Sequence, residues 1–80
     1  MRTDICASDD YETRERLLRA IRELDGAYEG DGEPSGVGLH RFCVGFEVLT
    51  MFVDAWTVDL EGPDELVQQV LQLMSTGDRG

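Results

Sequence analysis

Two stretches of the chain place apolar residues at the three- and four-residue spacing of a helix that is buried on one side. In the first stretch, Leu17, Leu18, Ile21 and Leu24 fall on one stripe, and Gly26 follows them as a helix stop. This spacing predicts an amphipathic helix near residues 10–25.

The second stretch begins after Gly62 and ends at Gly77. Pro63 suits the first turn of a helix because its missing N–H would have no partner there, and Asp64 and Glu65 favour the positive end of the helix dipole. The apolar stripe consists of Leu66, Val67, Val70, Leu71 and Met74. The pattern predicts a second amphipathic helix near residues 63–75.

Between the two helices, from residue 37 to residue 60, the pattern changes to that of β-strands. Two apolar runs flank Gly45 and predict a hairpin. Residues 48–53 are apolar on both faces apart from Thr50, which is typical of a central strand covered on each side. Residues 55–60 alternate and put Trp56 on the same face as the apolar residues that follow it. Residues 47–60 therefore form either two strands joined at Asp54 or one long bent strand.

The remaining segments are short and polar. Residues 1–8 are expected to be a flexible tail and residues 78–80 a frayed end. Residues 26–36 combine four glycines with a proline and three acids, which predicts an acidic, glycine-rich loop. Residues 9–77 then make one small α+β domain in the order α-β-β-β-α, with an antiparallel sheet and both helices packed on one face.

Charge adds a constraint on partners. Seventeen acids against seven bases give a net charge of −10, and every base is arginine. A GC-rich genome would deplete lysine, a halophilic cytoplasm would favour carboxylates and disfavour lysine, and a surface shaped for a basic partner would account for the excess of acids. We expect no direct binding of nucleic acid, because a surface that binds phosphates must be basic.

The residue types that carry chemistry are few. His40 is the only histidine, and in a strand it would lie on the opposite face from Cys43. Cys6 and Cys43 lack the spacing of a metal site and are expected to be reduced thiols. No glycine loop with a lysine is present to hold phosphate. We therefore expect no enzyme activity, no metal and no cofactor.

Targeting signals and apolar spans are also lacking. No signal-peptide pattern and no apolar run of about 20 residues occurs, so a cytoplasmic protein without a membrane span is expected.

Two hypotheses about function remain. The first is an acidic protein-interaction module, a stoichiometric binder or inhibitor of a basic and possibly nucleic-acid-binding protein, in the style of immunity or anti-defence proteins. Its expected contact residues are Glu29, Asp31, Glu33, Asp59, Glu61, Asp64 and Glu65. The alternative is a self-associating regulatory or accessory domain, a homodimer, whose acidity reflects its host. The expected dimer face comprises Cys43, Met51, Ala55 and Thr57.

Overall fold

The computed structural model describes residues 1–30 and 36–77, which form one five-stranded antiparallel sheet and two helices. The elements are β1 (Arg2–Ala7), α1 (Tyr11–Glu23), β2 (Ala27–Tyr28), β3 (Gly38–Val44), β4 (Glu47–Val53), β5 (Thr57–Glu61) and α2 (Asp64–Gly77). The strands lie in the order β1-β5-β4-β3-β2. The predicted α+β class and its α-β-β-β-α core are confirmed, and two strands are added.

The first added strand corrects the expectation of a flexible tail over residues 1–8. Strand β1 pairs antiparallel with β5, from Arg2 opposite Glu61 to Ala7 opposite Thr57, with a bulge between Asp4 and Cys6. Ser8 extends the attachment, because its N–H donates to the Trp56 carbonyl oxygen at 2.9 Å. The first eight residues are therefore part of the sheet and its edge.

Helix α1 has definite signals at both ends. The Asp10 side chain caps the helix by accepting from the Thr13 N–H at 3.1 Å and from the Thr13 hydroxyl at 2.7 Å, and these bonds lower the pKa of Asp10. After the C-cap at Leu24, Asp25 takes a φ of 60°, and Gly26 donates its N–H to the Ile21 carbonyl oxygen at 2.9 Å. The chain thus reverses within three residues and enters the short strand β2.

Residues 47–60 form two strands rather than one bent strand. The Asp54 carboxylate accepts from the N–H groups of Trp56 and Thr57, both at 2.7 Å, and closes the turn between β4 and β5. The backbone N–H of Asp54 also donates to the Thr57 carbonyl oxygen at 3.0 Å. The alternation predicted that Trp56 shares a face with Val58 and Leu60, but Trp56 belongs to this turn and is 80% exposed, whereas Val58 and Leu60 are buried.

A single core fills the space between the two helices and one face of the sheet. Its fully or nearly fully buried members are Leu17, Ala20, Ile21, Phe42, Leu49, Met51, Val53, Val58, Leu60, Leu66, Val67 and Val70. Alternate residues of β3, β4 and β5 point into this core, so the residues between them point to the opposite face, which no described helix covers. No helix in the described parts of the chain is long and apolar enough to cross a membrane.

Candidate protein-interaction surface

The uncovered side of the sheet, which we call the open face, presents a mixed apolar and charged surface. Strands β3 and β4 contribute Leu39, Arg41, Cys43, Val48, Thr50 and Phe52. Leu39 is 51% exposed and Val48 44% exposed, so apolar side chains remain in contact with water at the middle of the sheet. An apolar centre surrounded by polar groups is the usual anatomy of a protein-binding surface.

Arg2 crosses the open face from its place on the edge strand. Its Nε and Nη2 lie 3.1 and 3.0 Å from Oδ2 of Asp59, and its guanidinium carbon lies 4.2 Å from the centre of the Phe52 ring. The ion pair and the cation–π contact together fix the arginine over the sheet. They also partly cover Phe52, which is consequently less exposed than Leu39 and Val48.

Asp4 and Asp59 lie directly opposite each other on β1 and β5. A hydrogen bond with Asp59 and repulsion between the two carboxylates raise the pKa of Asp4. The Oδ1 atom of Asp59 is buried and has no hydrogen-bond partner among the described residues.

The two cysteines are not activated as nucleophiles. The Cys43 thiol donates to Oε2 of Glu29 at 2.8 Å, and this bond raises the pKa of Cys43. Burial, followed by the charge of Asp10, raises the pKa of Cys6. Both shifts favour the neutral thiol, which is a poor nucleophile and a poor metal ligand.

His40 is buried on the helix-covered side of the sheet, opposite to the face of Cys43. Its Nδ1 lies 3.2 Å from the Tyr28 hydroxyl and its Nε2 lies 3.2 Å from the Gly36 carbonyl oxygen. Both ring nitrogens thus have a partner, which fits a structural role. Across residues 1–30 and 36–77, no group of three or more His, Cys, Asp or Glu side chains could hold a metal ion.

The acids expected to contact a partner are partly gathered in space. Asp59 and Glu61 lie on β5, and Asp64 and Glu65 open the helix that follows it; we call the end of β5 and the start of α2 the acidic corner. Asp59 forms an ion pair with Arg2 there. Asp64 lies 3.2 Å from the amino group of Met1. Glu29 lies at the other edge of the sheet, beyond β2. Asp31 and Glu33 fall outside the described residues.

The residues expected to form a dimer face do not share one surface. Cys43 lies on the open face, and Thr57 is exposed at the start of β5 beside Asp54. Ala55 is in the β4–β5 turn. Met51 is fully buried in the core, so it cannot contact a partner. The residues of β4 that lie on the open face are instead Val48, Thr50 and Phe52.

Charge is distributed unevenly between the two sides of the molecule. Helix α1 contains four arginines and three glutamates. The strands, the residue that follows β2, the β4–β5 turn and the start of α2 contain two arginines, Arg2 and Arg41, against eight carboxylates: Asp4, Glu29, Glu47, Asp54, Asp59, Glu61, Asp64 and Glu65. Asp9, Asp10 and Asp25 flank α1, so this helix and its ends have a net charge of −2, against −6 for the sheet side and the start of α2.

Comparison of the chain with protein-family models, with curated proteins and with solved structures gives no match.

Proposed function

We propose that this chain is a non-enzymatic protein-interaction module that binds a basic surface of another protein through the acidic corner formed by Asp59, Glu61, Asp64 and Glu65. The charge asymmetry carries this proposal. If the acids served only solubility, the negative charge would be spread evenly, yet α1 and its flanking residues carry six acids against four arginines, whereas the sheet side and the start of α2 carry eight acids against two arginines.

Electrostatics suggests how such a module works. Clustered carboxylates attract a basic surface before contact and orient it, which mainly raises the association rate. Asp64 and Glu65 are exposed, and they sit on the first turn of a helix, so their positions are fixed by a rigid element. A partner whose basic surface normally binds phosphates would lose access to them, which makes the module a stoichiometric inhibitor.

The proposed compartment is the cytoplasm. Cys6 and Cys43 are both free thiols, and a reducing compartment keeps thiols in that state. The proposed mode of action needs no cofactor and no catalytic group.

The test compares two double charge reversals that are matched in local structure. Asp64→Arg with Glu65→Arg alters the acidic corner, and Glu12→Arg with Glu15→Arg alters the start of α1. Both pairs lie near the beginning of a helix, so the loss of favourable dipole interactions is similar. Each variant and the wild type are immobilised, and a host extract supplies the basic partner, which is then purified for stopped-flow kinetics.

We expect the variant of the acidic corner to slow association by about tenfold or more, and the α1 variant to associate close to the wild-type rate. Increasing salt should slow the wild type and the α1 variant most. Equal slowing by both variants, or no slowing by either, would refute the proposal. Circular dichroism of the three proteins checks that each is folded.

Self-association is the second candidate function, and one specific observation favours it. The charged residues that cross the middle of the open face alternate in sign, an arrangement that can complement itself. A regulatory or accessory domain that dimerises would use this surface.

A further inference from the structure

One row of side chains crosses the open face at the level of Thr50. Thr50 pairs with Arg41 of β3 on one side and with Glu61 of β5 on the other, and Glu61 pairs in turn with Arg2 of β1. Glu29 completes the row next to Arg41, because its N–H donates to the Arg41 carbonyl oxygen at 3.0 Å. From β2 to β1, the charges of this Thr50 row are negative, positive, neutral, negative and positive.

Side-chain contacts place the outer members of the row on the open face. Glu29 accepts from the Cys43 thiol, and Arg2 lies over the Phe52 ring. Arg41 and Glu61 are both exposed. Among the described residues, neither of these two takes part in an ion pair. The two charges that flank Thr50 are therefore available to another molecule.

In the Thr50 row, each charge on one side of Thr50 has the opposite sign to the charge at the same distance on the other side. A rotation of 180° about an axis parallel to β4, placed between two stacked sheets, exchanges the two sides of the row. It brings Arg41 of one copy opposite Glu61 of the other, twice by symmetry, and leaves Thr50 opposite Thr50. We propose that a second copy of this chain covers the open face in this two-fold arrangement.

The remaining residues of β4 suit the same axis. A two-fold contact places identical residues together along the axis, and on the open face of β4 these are Val48 and Phe52 on either side of Thr50. Sheets that pack face to face lie about 10 Å apart. Extended Arg41 and Glu61 side chains together span such a gap, so apolar contacts fill the centre and ion pairs flank it.

A second two-fold axis, perpendicular to the strands, would also stack the two sheets face to face, but the charges disfavour it. That axis would place Arg41 against Arg41 and Glu61 against Glu61, and contacts between like charges disfavour that arrangement. The row is neutral as a whole, with two acids and two arginines, so it attracts a basic protein less than it complements itself. Glu61 belongs both to this row and to the acidic corner, whereas Asp64 and Glu65 belong to the corner alone, so variants at positions 64 and 65 test the basic partner separately from the dimer.

The experiment measures molar mass by size-exclusion chromatography with light scattering, over a concentration series in 0.15 M salt. At that ionic strength the Debye length is about 8 Å, which limits long-range repulsion between the acidic copies. The wild type should reach twice the 9.0 kDa chain mass at high concentration. The single variants Arg41→Glu and Glu61→Arg should each dimerise at least about tenfold more weakly, because each places like charges face to face.

The decisive sample is the equimolar mixture of the two single variants. In a mixed pair, the glutamate introduced at position 41 of one copy faces the arginine introduced at position 61 of the other, and the native Glu61 faces the native Arg41. The mixture should therefore return to the dimer mass, as should the double variant carrying both changes. A wild type that stays monomeric at high micromolar concentration, single variants that dimerise like the wild type, or a mixture that stays monomeric would each overturn the inference.

Thermal melts of each variant separate loss of the dimer from loss of the fold. If a single charge reversal unfolds the chain, the variants Arg41→Gln and Glu61→Gln are used instead. Each removes one partner of the ion pairs without adding repulsion and should weaken the dimer. Unchanged dimerisation of both variants would also overturn the inference. The variant with Asp64→Arg and Glu65→Arg should dimerise like the wild type. If the wild type does not dimerise, the proposal of a basic partner is unaffected and is tested by the association kinetics described above.

Discussion

Asp54 accepts hydrogen bonds from the β4–β5 turn, whereas Asp4 faces another carboxylate across two strands. The backbone N–H groups of Thr57 and Trp56 lower the pKa of Asp54 below its ordinary value of 3.8. The hydrogen bond with Asp59 and the repulsion between the carboxylates raise the pKa of Asp4 above the same value. Folding therefore favours the ionised form of Asp54 and the protonated form of Asp4.

These shifts predict opposite effects of two substitutions. The stabilisation from Asp54 is present above pH 3.8 and is lost as the pH falls through its lower folded pKa, so Asp54→Ala should reduce the melting temperature at pH 7 and have a smaller effect in acid. The stabilisation from protonated Asp4 is present below pH 3.8 and is lost as the pH rises through its raised folded pKa. Asp4→Asn should therefore increase the melting temperature at pH 7, because its amide can donate to Asp59.

Thermal melts between about pH 2.5 and pH 7 check both expectations. The two differences from the wild type should have opposite signs at pH 7 and should shrink together as the pH falls. A decrease in melting temperature for Asp4→Asn at pH 7 would mean that the two carboxyl groups do not repel each other in the folded protein.

At the scale of elements, the reversal from α1 into β2 depends on a close approach at Gly26, and the β3–β4 hairpin depends on backbone conformation at Gly45. A Cβ atom on Gly26 would collide with Cγ2 of Ile21 and lie 2.8 Å from the Ile21 carbonyl oxygen. Gly45 has a φ of 63° and nothing within 4 Å of the position of a Cβ. The first site is restricted by packing and the second by chain geometry.

The two alanine substitutions should therefore differ in cost. Gly45→Ala should lower the free energy of unfolding by about 1–2 kcal/mol, the cost of a left-handed conformation for a residue with a side chain. Gly26→Ala should cost more, about 2–3 kcal/mol, because the backbone of α1 or of β2 must shift. Urea denaturation of both variants measures the difference. A Gly26→Ala variant as stable as Gly45→Ala would show that this reversal is not tightly packed.

The elements that the sequence predicts well are those with a strong local pattern. The stripes of α1 and α2 and the two runs around Gly45 lie where they were expected. Strand β1 has only six residues, two of them charged, and its partner β5 is distant in the chain, so local periodicity carries no information about the pairing. Strand β2 has two residues and emerges only from its hydrogen bonds to β3.

Met51 was expected on the uncovered side of the sheet, but its side chain is buried in the core. Residues 48–53 are apolar on both faces, so alternation alone does not say which set points to the helices, and a shift of one residue exchanges the two. Thr50 is the one polar residue in that run and marks the solvent side, which would have placed Val48 and Phe52 on the open face. Arg2 could not have been included, because its strand had not been recognised.

At the scale of the whole molecule, the net charge of −10 acts over a body whose longest dimension is 29 Å. The Debye length is about 30 Å at 0.01 M salt, so every charge then interacts with every other, and about 3 Å at 1 M, where only neighbours interact. Since most of the described excess lies on the sheet side, repulsion is concentrated there.

We therefore expect the melting temperature to rise as NaCl increases from 0.01 M to 1 M. Substituting KCl for NaCl should give the same rise, because screening depends on ionic strength and not on the identity of the monovalent cation. A flat or falling trend would show that charge repulsion does not limit folding, and it would remove support for a halophilic origin of the composition.

The attachment of β1 to β5 also orders the events of folding. Arg2 and Asp59, which are joined by an ion pair, are 57 positions apart in the chain. Closing a loop of that length costs more entropy than forming either of the two tight hairpins, so β3, β4 and β5 can assemble before β1 arrives. Until then β5 is an edge strand with an unpaired row of backbone groups, open to pairing with another chain. Strand β1 is thus among the last elements to be placed, and its pairing with β5 protects the newly formed sheet from aggregation.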